Sequence, residues 1–369
     1  MVINQFTATN IRSLDFVSLT PTSDINIIIG KNNDGKTTLL ESIYFSSSLK
    51  SFKSVSSTSL IRSGENSLKI LVSSSKLDQT YTISIEKKLK GTNSTRINDK
   101  RCSSKDLFLT LPVLALNFGV ENIVTGSSED RRSLLDWGTF HVEHDYLIKY
   151  KNYQKALKHR NSLLRKKSLD NLEYWTDLVA DIGETLNTSR KLYFDTLNNE
   201  FINYKKIILS IEPDAYNDIK NSTLKYNQGW NDKLTLKQAL HQSLEKDIVM
   251  KHTTCGPHRS DIIMSSTGYD LKSISSMSTQ IITGLLLVLS QSKVFHVKHE
   301  HYPVILIDDL FFGIDDKNLL LVVNLLKDSN AQCFITAPDL YKTKLEEVRN
   351  RDEKIRIYQF DDKKLMESK

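Results

Sequence analysis

The chain has 369 residues, of which 39% are hydrophobic and 25% are charged, and its formal net charge is +6. These values are typical of a soluble globular protein that can hold one large domain and a smaller one, and the mild basicity is compatible with a polyanionic partner. The longest apolar run, residues 281–289, is about half as long as a membrane span, and the N-terminus has no signal pattern. The scattered cysteines indicate free thiols in a reducing compartment: Cys102, Cys255 and Cys333. We therefore predict a cytoplasmic protein that does not enter a membrane.

The first part of the chain alternates in the manner of β-strands. Residues 2–30 predict strands, and residues 66–98 predict antiparallel strands. Serine-rich stretches at 46–59 and 73–75 predict loops. The apolar residues of the first stretch that we expect in the core are Phe6, Ile11, Phe16 and Val17.

The run from Gly30 to Thr37 fits the phosphate-binding pattern G-x-x-x-x-G-K-[ST] at every fixed position. A buried strand is predicted before it, at residues 25–29, and a helix after it, at residues 39–43. In such a loop, backbone N–H groups wrap a phosphate at the positive end of the helix. Lys36 is expected to reach the β- and γ-phosphates, and the Thr37 hydroxyl to hold Mg²⁺. The candidate nucleotide-binding residues here are Gly30, Lys31, Asn32, Asn33, Asp34, Gly35, Lys36, Thr37 and Thr38.

Two positions in this loop are unusual. Asn33 stands where many such loops carry a second glycine, and asparagine tolerates positive φ, so we expect the loop to close. Asp34 adds a negative charge near a site built for anions.

The pattern changes near residue 141. Residues 141–205 contain no proline, and their apolar residues recur at helical spacing, which predicts two or three long helices, packed as an antiparallel pair. Buried-strand character returns at 303–307 and 332–336. We therefore predict an α/β fold: a head of mixed sheet with flanking helices, built from residues 1–140 and 250–369, and a mainly helical lobe at 141–249.

Two adjacent acids end the apolar run at residues 304–307. At the carboxyl edge of a buried strand, Asp308 is expected to hold Mg²⁺ directly or through water. Asp309 is the candidate general base for an attacking water. A strand ending in two solvated acids is the alternative, and the upstream Lys36 argues against it.

A single-sign run of basic residues lies between Lys149 and Lys167. Within it, Lys151, Lys155 and Lys158 share one helical face. A run of one sign favours contact with a phosphate backbone over an ordinary solvated surface. No aromatic ladder accompanies it, so double-stranded, gapped or junction DNA is favoured over single strands. The other basic members of the run are Arg160, Arg165 and Lys166. Four histidines elsewhere in the chain are interpreted as structural or phosphate-facing: His141, His144, His252 and His258.

The order of these pieces resembles the SMC/Rad50-like ABC ATPases, and in detail the RecF family of bacterial DNA replication and repair proteins. The stretches that carry the resemblance span nearly the whole chain: Asn10-Ile11-Arg12, Lys50-Ser51-Phe52, Leu60-Ile61-Arg62, Gly64-Glu65, the run from Arg131 to His141, Gly256-Pro257-His258-Arg259, and Asp308-Asp309 to Asp315.

The resemblance implies a head of the ABC type that binds ATP and Mg²⁺ and dimerises around the nucleotide. It implies that Ser276 caps the γ-phosphate held by the other protomer, and that Asp315 lies in the loop that crosses the dimer interface. It also implies loading of recombinase at single-strand gaps, RecO and RecR as partners, and links to replication and the SOS response.

The segment at Ser276 departs from the family signature Ser-x-Gly-Gln, because Ser278 replaces the glycine. Glycine allows close approach of the backbone to a phosphate. This leaves open a slow ATPase stimulated by DNA, an ATP-binding scaffold without turnover, or an ATPase of the OLD type, which would need a further acidic metal cluster.

Overall fold

The computed structural model describes residues 1–51, 56–116, 119–166, 170–211, 216–350 and 354–367. The strands are β1 (Val2–Ile11), β2 (Leu14–Leu19), β3 (Ile25–Gly30), β4 (Ser67–Lys76), β5 (Gln79–Lys88), β6 (Ser94–Ile97), β7 (Lys100–Arg101), β8 (Val113–Leu116), β9 (Ser222–Asn227), β10 (Asp261–Ser266), β11 (Tyr269–Asp270), β12 (Val304–Ile307), β13 (Cys333–Pro338), β14 (Ile355–Asp361) and β15 (Lys364–Glu367).

The helices are α1 (Lys36–Ser48), α2 (Ser104–Thr110), α3 (Asn122–Thr125), α4 (Ser128–Val142), α5 (Tyr146–Lys166), α6 (Leu172–Ile211), α7 (Asn217–Lys220), α8 (Leu236–Gln242), α9 (Leu244–Met250), α10 (Leu271–Ile274), α11 (Met277–His299), α12 (Asp316–Asp328) and α13 (Lys342–Arg349). Contacts divide the chain into two compact units. The first contains Met1–Asn122 and Ser276–Lys369, and the second contains Ile123–Ser275.

The first unit contains two sheets. One has the order β15-β14-β3-β13-β12-β8, in which β15 is antiparallel to β14 and the other neighbours are parallel. The other has the order β2-β1-β4-β5-β6-β7 and is antiparallel, which confirms the strands predicted at 66–98. Because parallel strands end at one edge of a sheet, the segments after β3, β12 and β13 lie side by side.

Helix α1 lies in the core of the first unit. Its apolar residues pack with both sheets, and Leu39, Ile43 and Phe45 are at most 1% exposed. Its serines are also buried, and the Ser46 hydroxyl donates to the Ile43 carbonyl at 2.6 Å, which satisfies a polar group inside the core. The serine-rich stretch at 46–59 therefore begins within a helix and not within a loop, and its residues 52–55, with Phe52, lie outside the described residues.

Two further local predictions were wrong. Phe16 is 58% exposed, because β2 turns Leu14, Val17 and Leu19 towards the core and leaves Phe16 on the outer face. The stretch at 73–75 lies inside β4, where Ser74 is fully buried. Serine is small enough for a packed strand, so tertiary packing overrode the loop preference.

The second unit is built on α5 and α6, which contact each other along their lengths. The Arg160 guanidinium of α5 donates to Thr176 of α6, and Arg190 of α6 donates to Tyr146 of α5. The later residue of α5 thus contacts the earlier residue of α6, and the earlier residue of α5 contacts the later residue of α6. The two helices are therefore antiparallel, as predicted. Their shared core includes Tyr153, and a sheet of order β11-β10-β9 belongs to the same unit.

The second unit extends beyond the predicted insertion, residues 141–249, at both ends. It includes α4, whose Asp136 pairs with Arg190 of α6 at 2.7 Å, and it includes β10, whose Asp261 pairs with Arg131 of α4 at 2.6 Å. These ion pairs join residues before 141 and after 249 to the long helices. The division falls at 122 and 276, whereas the sequence suggested 140 and 250.

Helix α11 is the helix, among the described residues, that is long and apolar enough to cross a membrane. However, 78% of its most apolar window is buried inside the protein. Leu285, Leu286 and Leu289 are fully buried. Burial of this kind is typical of the core helix of a globular unit.

Candidate nucleotide-binding site

The phosphate loop connects the buried strand β3 to α1, as the pattern predicts. Asn33 has φ 74°, which confirms the expected left-handed conformation at the position where many loops carry glycine. Gly35 has φ 113°, a backbone conformation that favours glycine, and a Cβ there would lie 2.6 Å from Leu14 Cδ2. The loop therefore packs closely on Leu14, the first residue of β2.

Lys36 extends back across the loop and is 6% exposed. Its ammonium group donates to the carbonyl oxygens of Gly30 at 2.7 Å and Lys31 at 2.9 Å. Both acceptors are neutral, so they hold the charge in place without neutralising it. The carboxylate of Asp34 accepts a hydrogen bond from the Lys31 N–H at 2.8 Å, so this acid engages the loop's own backbone.

The predicted loop residues divide into two groups. A cavity of about 190 Å³ is lined by Ser13, Asn32, Asn33, Gly35, Lys36, Thr37, Thr38 and Asp309. Gly30, Lys31 and Asp34 do not line it and instead shape the loop through the contacts with Lys36 and with each other.

Asp308 follows β12 and faces Thr37 across the sheet edge. Its Oδ1 accepts hydrogen bonds from the Thr37 hydroxyl at 3.2 Å and from the Thr336 hydroxyl at 2.6 Å. Thr336 lies on β13, which separates β3 from β12 in the sheet order. The structure therefore brings together both predicted metal ligands, and a threonine that the sequence analysis missed orients one of them.

Asp309 is held in a conformation that few residues adopt. Its φ is 49°, and its N–H donates to the Thr336 hydroxyl at 2.8 Å. Aspartate tolerates the left-handed region better than most residues, and strain of this kind concentrates at functional sites. One threonine thus donates to Asp308 and accepts from Asp309, so the two acids are oriented by the same side chain.

A larger cavity adjoins the phosphate loop and contains a third carboxylate. It measures about 530 Å³ and shares Asn32, Thr37 and Asp309 with the loop cavity. Glu121 also lines it, and burial, with a smaller contribution from the charge of Asp309, raises the pKa of the Glu121 carboxyl group. A carboxylate with a raised pKa in a cleft is a candidate acid or base. No sequence motif identified Glu121.

The donor atoms around Thr37 and Asp308 are suited to a hard cation. They are hydroxyl and carboxylate oxygens, which Mg²⁺ prefers. No cluster of three or more His, Cys, Asp or Glu side chains that could hold a metal occurs in the described part of the chain. Mg²⁺ is usually held by one or two protein ligands together with phosphates and waters.

Ser276 is exposed and caps the N-terminus of α11. Its Oγ accepts the Thr279 N–H at 3.3 Å. Ser278, which replaces the glycine of the family signature, lies within the helix and donates to the Gly313 carbonyl at 3.2 Å. Asp315 caps α12 by accepting the Asn318 N–H at 2.8 Å. These residues all have local structural roles within the first unit.

The predicted basic face belongs to the second unit and separates into exposed and buried residues. Lys151, Lys155 and Lys158 are exposed on α5. Arg160 is not part of this face, because it is fully buried and pairs with Asp247 at 2.8 Å. Helical periodicity alone could have placed Arg160 on the inner face. Lys167, the last member of the run, lies outside the described residues.

The Gly256-Pro257-His258-Arg259 stretch has a structural role in the second unit. The His258 ring forms hydrogen bonds with the Tyr153 hydroxyl at 2.7 Å and with the Thr253 carbonyl at 3.0 Å. The carbonyl requires a donor, so one ring nitrogen carries a proton and the other accepts from Tyr153. Burial lowers the pKa of His258 to about 4, which keeps the ring neutral. Gly256 has φ 128°, which favours glycine.

Comparison with known proteins agrees with this arrangement. Residues 2–365 match the family model described as the RecF/RecN/SMC N terminal domain. The protein named "DNA replication and repair protein RecF" from Marinomonas sp. (strain MWYL1) is 30% identical over 334 residues, which cover 89% of this chain and 88% of that protein. The chain belongs to the RecF family. The RecF protein of Stutzerimonas stutzeri (strain A1501) is 29% identical over 92% of this chain and 90% of its own length.

Solved structures confirm the predicted fold class. The structure described as "recombination mediator protein RecF-ATPrS in RecFOR pathway" matches with a TM-score of 0.81 at 22% identity, and covers 100% of this chain and 98% of that chain. The Smc head domain of Pyrococcus furiosus matches with a TM-score of 0.58 at 15% identity, and covers 100% of this chain and 96% of that chain. At these identities the likeness shows a shared fold, that of the RecF and SMC heads.

Proposed function

We propose that this chain is a DNA-binding ATPase of recombinational repair and replication, which acts at single-strand gaps, dimerises around ATP and hydrolyses it slowly. The observation that carries the proposal is the convergence of Lys36, Thr37 and Asp308 at one sheet edge. The relatives named for DNA replication and repair, and a RecF structure described with ATP, support the assignment.

In this proposal, the loop N–H groups and Lys36 bind the β- and γ-phosphates. Thr37 and Asp308 would hold Mg²⁺, which would neutralise phosphate charge. Asp309 accepts the proton of the attacking water, and Glu121, which lines the same cavity, helps to orient that water. Thr336 forms hydrogen bonds with both acids and so fixes the position of the metal ligand relative to that of the base.

The exposed end of α11 is proposed as the contact with a second protomer. Ser276 and the positive end of this helix would face the phosphate held by Lys36 of the partner. Exposure of Ser276 supports this role. The family resemblance adds RecO and RecR as partners and the cytoplasm as the location.

The basic face is proposed to bind duplex DNA next to a gap. Three exposed lysines on one helical face can contact successive phosphates without reading the base sequence. Their separation in sequence from the nucleotide motifs predicts that ATP affinity does not depend on them.

The test is steady-state ATP hydrolysis with and without gapped duplex DNA, together with ATP titration calorimetry. Lys36→Ala removes a nearly buried charge, and we expect ATP affinity to fall by about 2–5 kcal/mol. Asp309→Asn keeps the shape and should bind ATP normally, but hydrolysis should slow by roughly 10²- to 10⁴-fold.

The outcomes of these measurements distinguish the proposed ATPase from its alternatives. Equal ATP affinity in wild type and Lys36→Ala would exclude this loop as the nucleotide site. ATP binding without turnover in the wild type would favour the scaffold, in which Ser278 occupies the position of the signature glycine. Equal turnover in wild type and Asp309→Asn would show that another group is the base.

A further inference from the structure

The loop that begins at the proposed base, residues 309–315, is attached to the first turn of α11. The Ser278 hydroxyl donates a hydrogen bond to the Gly313 carbonyl at 3.2 Å, although Ser278 lies 35 residues earlier in the chain. A Cβ built on Gly313 would lie 3.0 Å from the Met277 sulfur, so the loop also passes close to Met277. Two consecutive residues of α11 therefore contact the 309–315 loop at one glycine.

The 309–315 loop is anchored mainly at its two ends. At its start, the Asp309 N–H donates to the side chain of a threonine on β13, and near its end Ile314 is 6% exposed. In the middle, the Phe312 N–H donates to the Asp309 carbonyl and the Ile314 N–H to the Phe311 carbonyl, both at 3.2 Å, which is the long end of the normal range. Phe312 is 59% exposed, so packing of its side chain does little to hold this part of the loop. The hydrogen bond from Ser278 acts where the loop has the fewest other restraints.

The contact between α11 and the 309–315 loop lies at the wall of the cavity that contains the acids. Met277 and Phe312 both line the cavity of about 530 Å³ that Asp308 and Asp309 also line. Separation of the loop from α11 would therefore widen this cavity. It would also move the backbone that follows directly after Asp309.

We propose that Ser278 is a positioning residue, whose hydroxyl holds the 309–315 loop against α11 and so keeps Asp309 in place. The inference rests on the proposed function, because Asp309 acts as a base only if the chain hydrolyses ATP. The glycine of the family signature has no side chain that could donate to the Gly313 carbonyl. The serine of this chain thus adds a connection, within one protomer, between the segment proposed to meet the partner and the loop of the base.

The proposal reverses the expectation that the family signature suggests. If Ser278 only obstructs the approach of a phosphate, Ser278→Gly should raise the rate of hydrolysis, because it restores the signature residue. If Ser278 holds the loop, Ser278→Gly and Ser278→Ala should both lower the rate, because both remove the hydroxyl. The alanine variant is the better one for magnitudes, since glycine also weakens a helix.

The first measurement is steady-state hydrolysis of MgATP by the full chain. A neutral hydrogen bond changes an equilibrium by roughly a factor of five, so Ser278→Ala should lower kcat about fivefold. The KM for ATP should not change, because the phosphate loop and Lys36 are left intact. Ser278→Thr keeps the hydroxyl and should retain the kcat of the wild type. A merely structural role in α11 would instead alter KM together with kcat.

The second measurement needs no nucleotide. Hydrogen–deuterium exchange of peptides that contain the 309–315 loop reports how often the loop opens. Ser278→Ala should increase exchange in this loop about fivefold and leave that of α1 unchanged, whereas Ser278→Thr should exchange like the wild type.

The matched control is Ser210→Ala. Ser210 lies in α6, and its hydroxyl donates to the Ile207 carbonyl at 2.7 Å, so this variant also loses a bond from a helical serine to a carbonyl. The bond is local to α6. The control should therefore keep the kcat of the wild type and the exchange rate of the 309–315 loop.

Mixing of variants distinguishes a connection within one protomer from a contact across the dimer. The Asp309→Asn variant has an intact Ser278 but no base. If Ser278 acts on Asp309 of its own chain, addition of Asp309→Asn protein to Ser278→Ala protein should not raise hydrolysis. If Ser278 acts on the phosphate held by the partner, mixed dimers would combine an intact base with an intact serine. Hydrolysis above the sum of the separate samples would therefore overturn the inference.

These results separate the inference from the proposed function. Unchanged loop exchange in Ser278→Ala, or a higher kcat in Ser278→Gly, would overturn the role of Ser278, and the proposed function would stand if the wild type hydrolyses ATP and Asp309→Asn does not. A wild type that binds ATP without hydrolysing it would instead refute the proposed turnover. The exchange measurement would then still decide whether Ser278 holds the loop.

Discussion

The proposed DNA contact of α5 can be tested by neutralising the lysines at 151, 155 and 158 together. All three are exposed, so replacement by alanine should remove charge without creating a cavity. Alanine is also a better helix former than lysine, and the helix should therefore persist. Loss of DNA affinity in the triple variant can then be assigned to lost phosphate contacts.

The size of the effect follows from counterion release. Each phosphate contact contributes about −0.9 to the slope of log K against log salt for duplex DNA. Three lost contacts should make the slope shallower by about 2.7. Between 50 and 200 mM salt, the wild type should then lose roughly 40-fold more affinity than the variant loses.

The assay is fluorescence anisotropy with gapped duplexes of two sequences at several salt concentrations. A matched control replaces three exposed lysines elsewhere in the second unit: Lys191, Lys206 and Lys225. Binding should weaken equally for both sequences, and ATP affinity should not change. A slope equal to that of the wild type, or an equal effect in the control, would contradict the proposed DNA contact and show that the basic run is a solvated surface.

Two further predictions concern stability. Arg160→Ala leaves the buried Asp247 without its cationic partner, and the free energy of unfolding, measured in urea, should fall by about 3–5 kcal/mol, whereas Lys158→Ala should leave it unchanged. Because burial lowers the pKa of His258 from 6.5 to about 4, the unfolded chain binds more protons in this interval. The contribution of neutral His258 to stability is fully present above about pH 6.5 and is lost as the pH falls towards 4. His258→Gln should flatten this pH dependence relative to the exposed His144→Gln, and equal profiles would contradict the assignment.

The phosphate loop could be predicted from sequence because its pattern is local. The fixed spacing from Gly30 to Thr37, the strand before it and the helix after it all lie in one short segment, and even the positive φ of Asn33 follows from residue type. The pairing of Asp308 with this loop was inferred from a second motif. In the sheet, β13 lies between β3 and β12, the strands that precede the two motifs, and this order brings the motifs close together.

What the sequence did not predict depends on contacts between distant segments. Phe16 has an aromatic side chain in an apolar strand, and only the orientation of β2 shows that it faces outwards. Arg160 is part of a basic run, and its partner Asp247 is 87 residues away. Glu121 stands outside any motif, and the fold of the first unit brings it to the cavity that Asp308 and Asp309 also line.

Thr336 shows how the fold couples two functions that the sequence presents as separate. A hydroxyl group has one proton to donate, and Thr336 donates it to Asp308 at 2.6 Å while accepting the Asp309 N–H at 2.8 Å. The proposed metal ligand and the proposed base are therefore both hydrogen-bonded to one side chain on β13. Because β13 is hydrogen-bonded to β3 and β12, the strands that precede the phosphate loop and the acids, a shift of β13 would move the side chain that orients both acids. In the proposed mechanism, the sheet as a whole would therefore set the positions of both the metal and the attacking water.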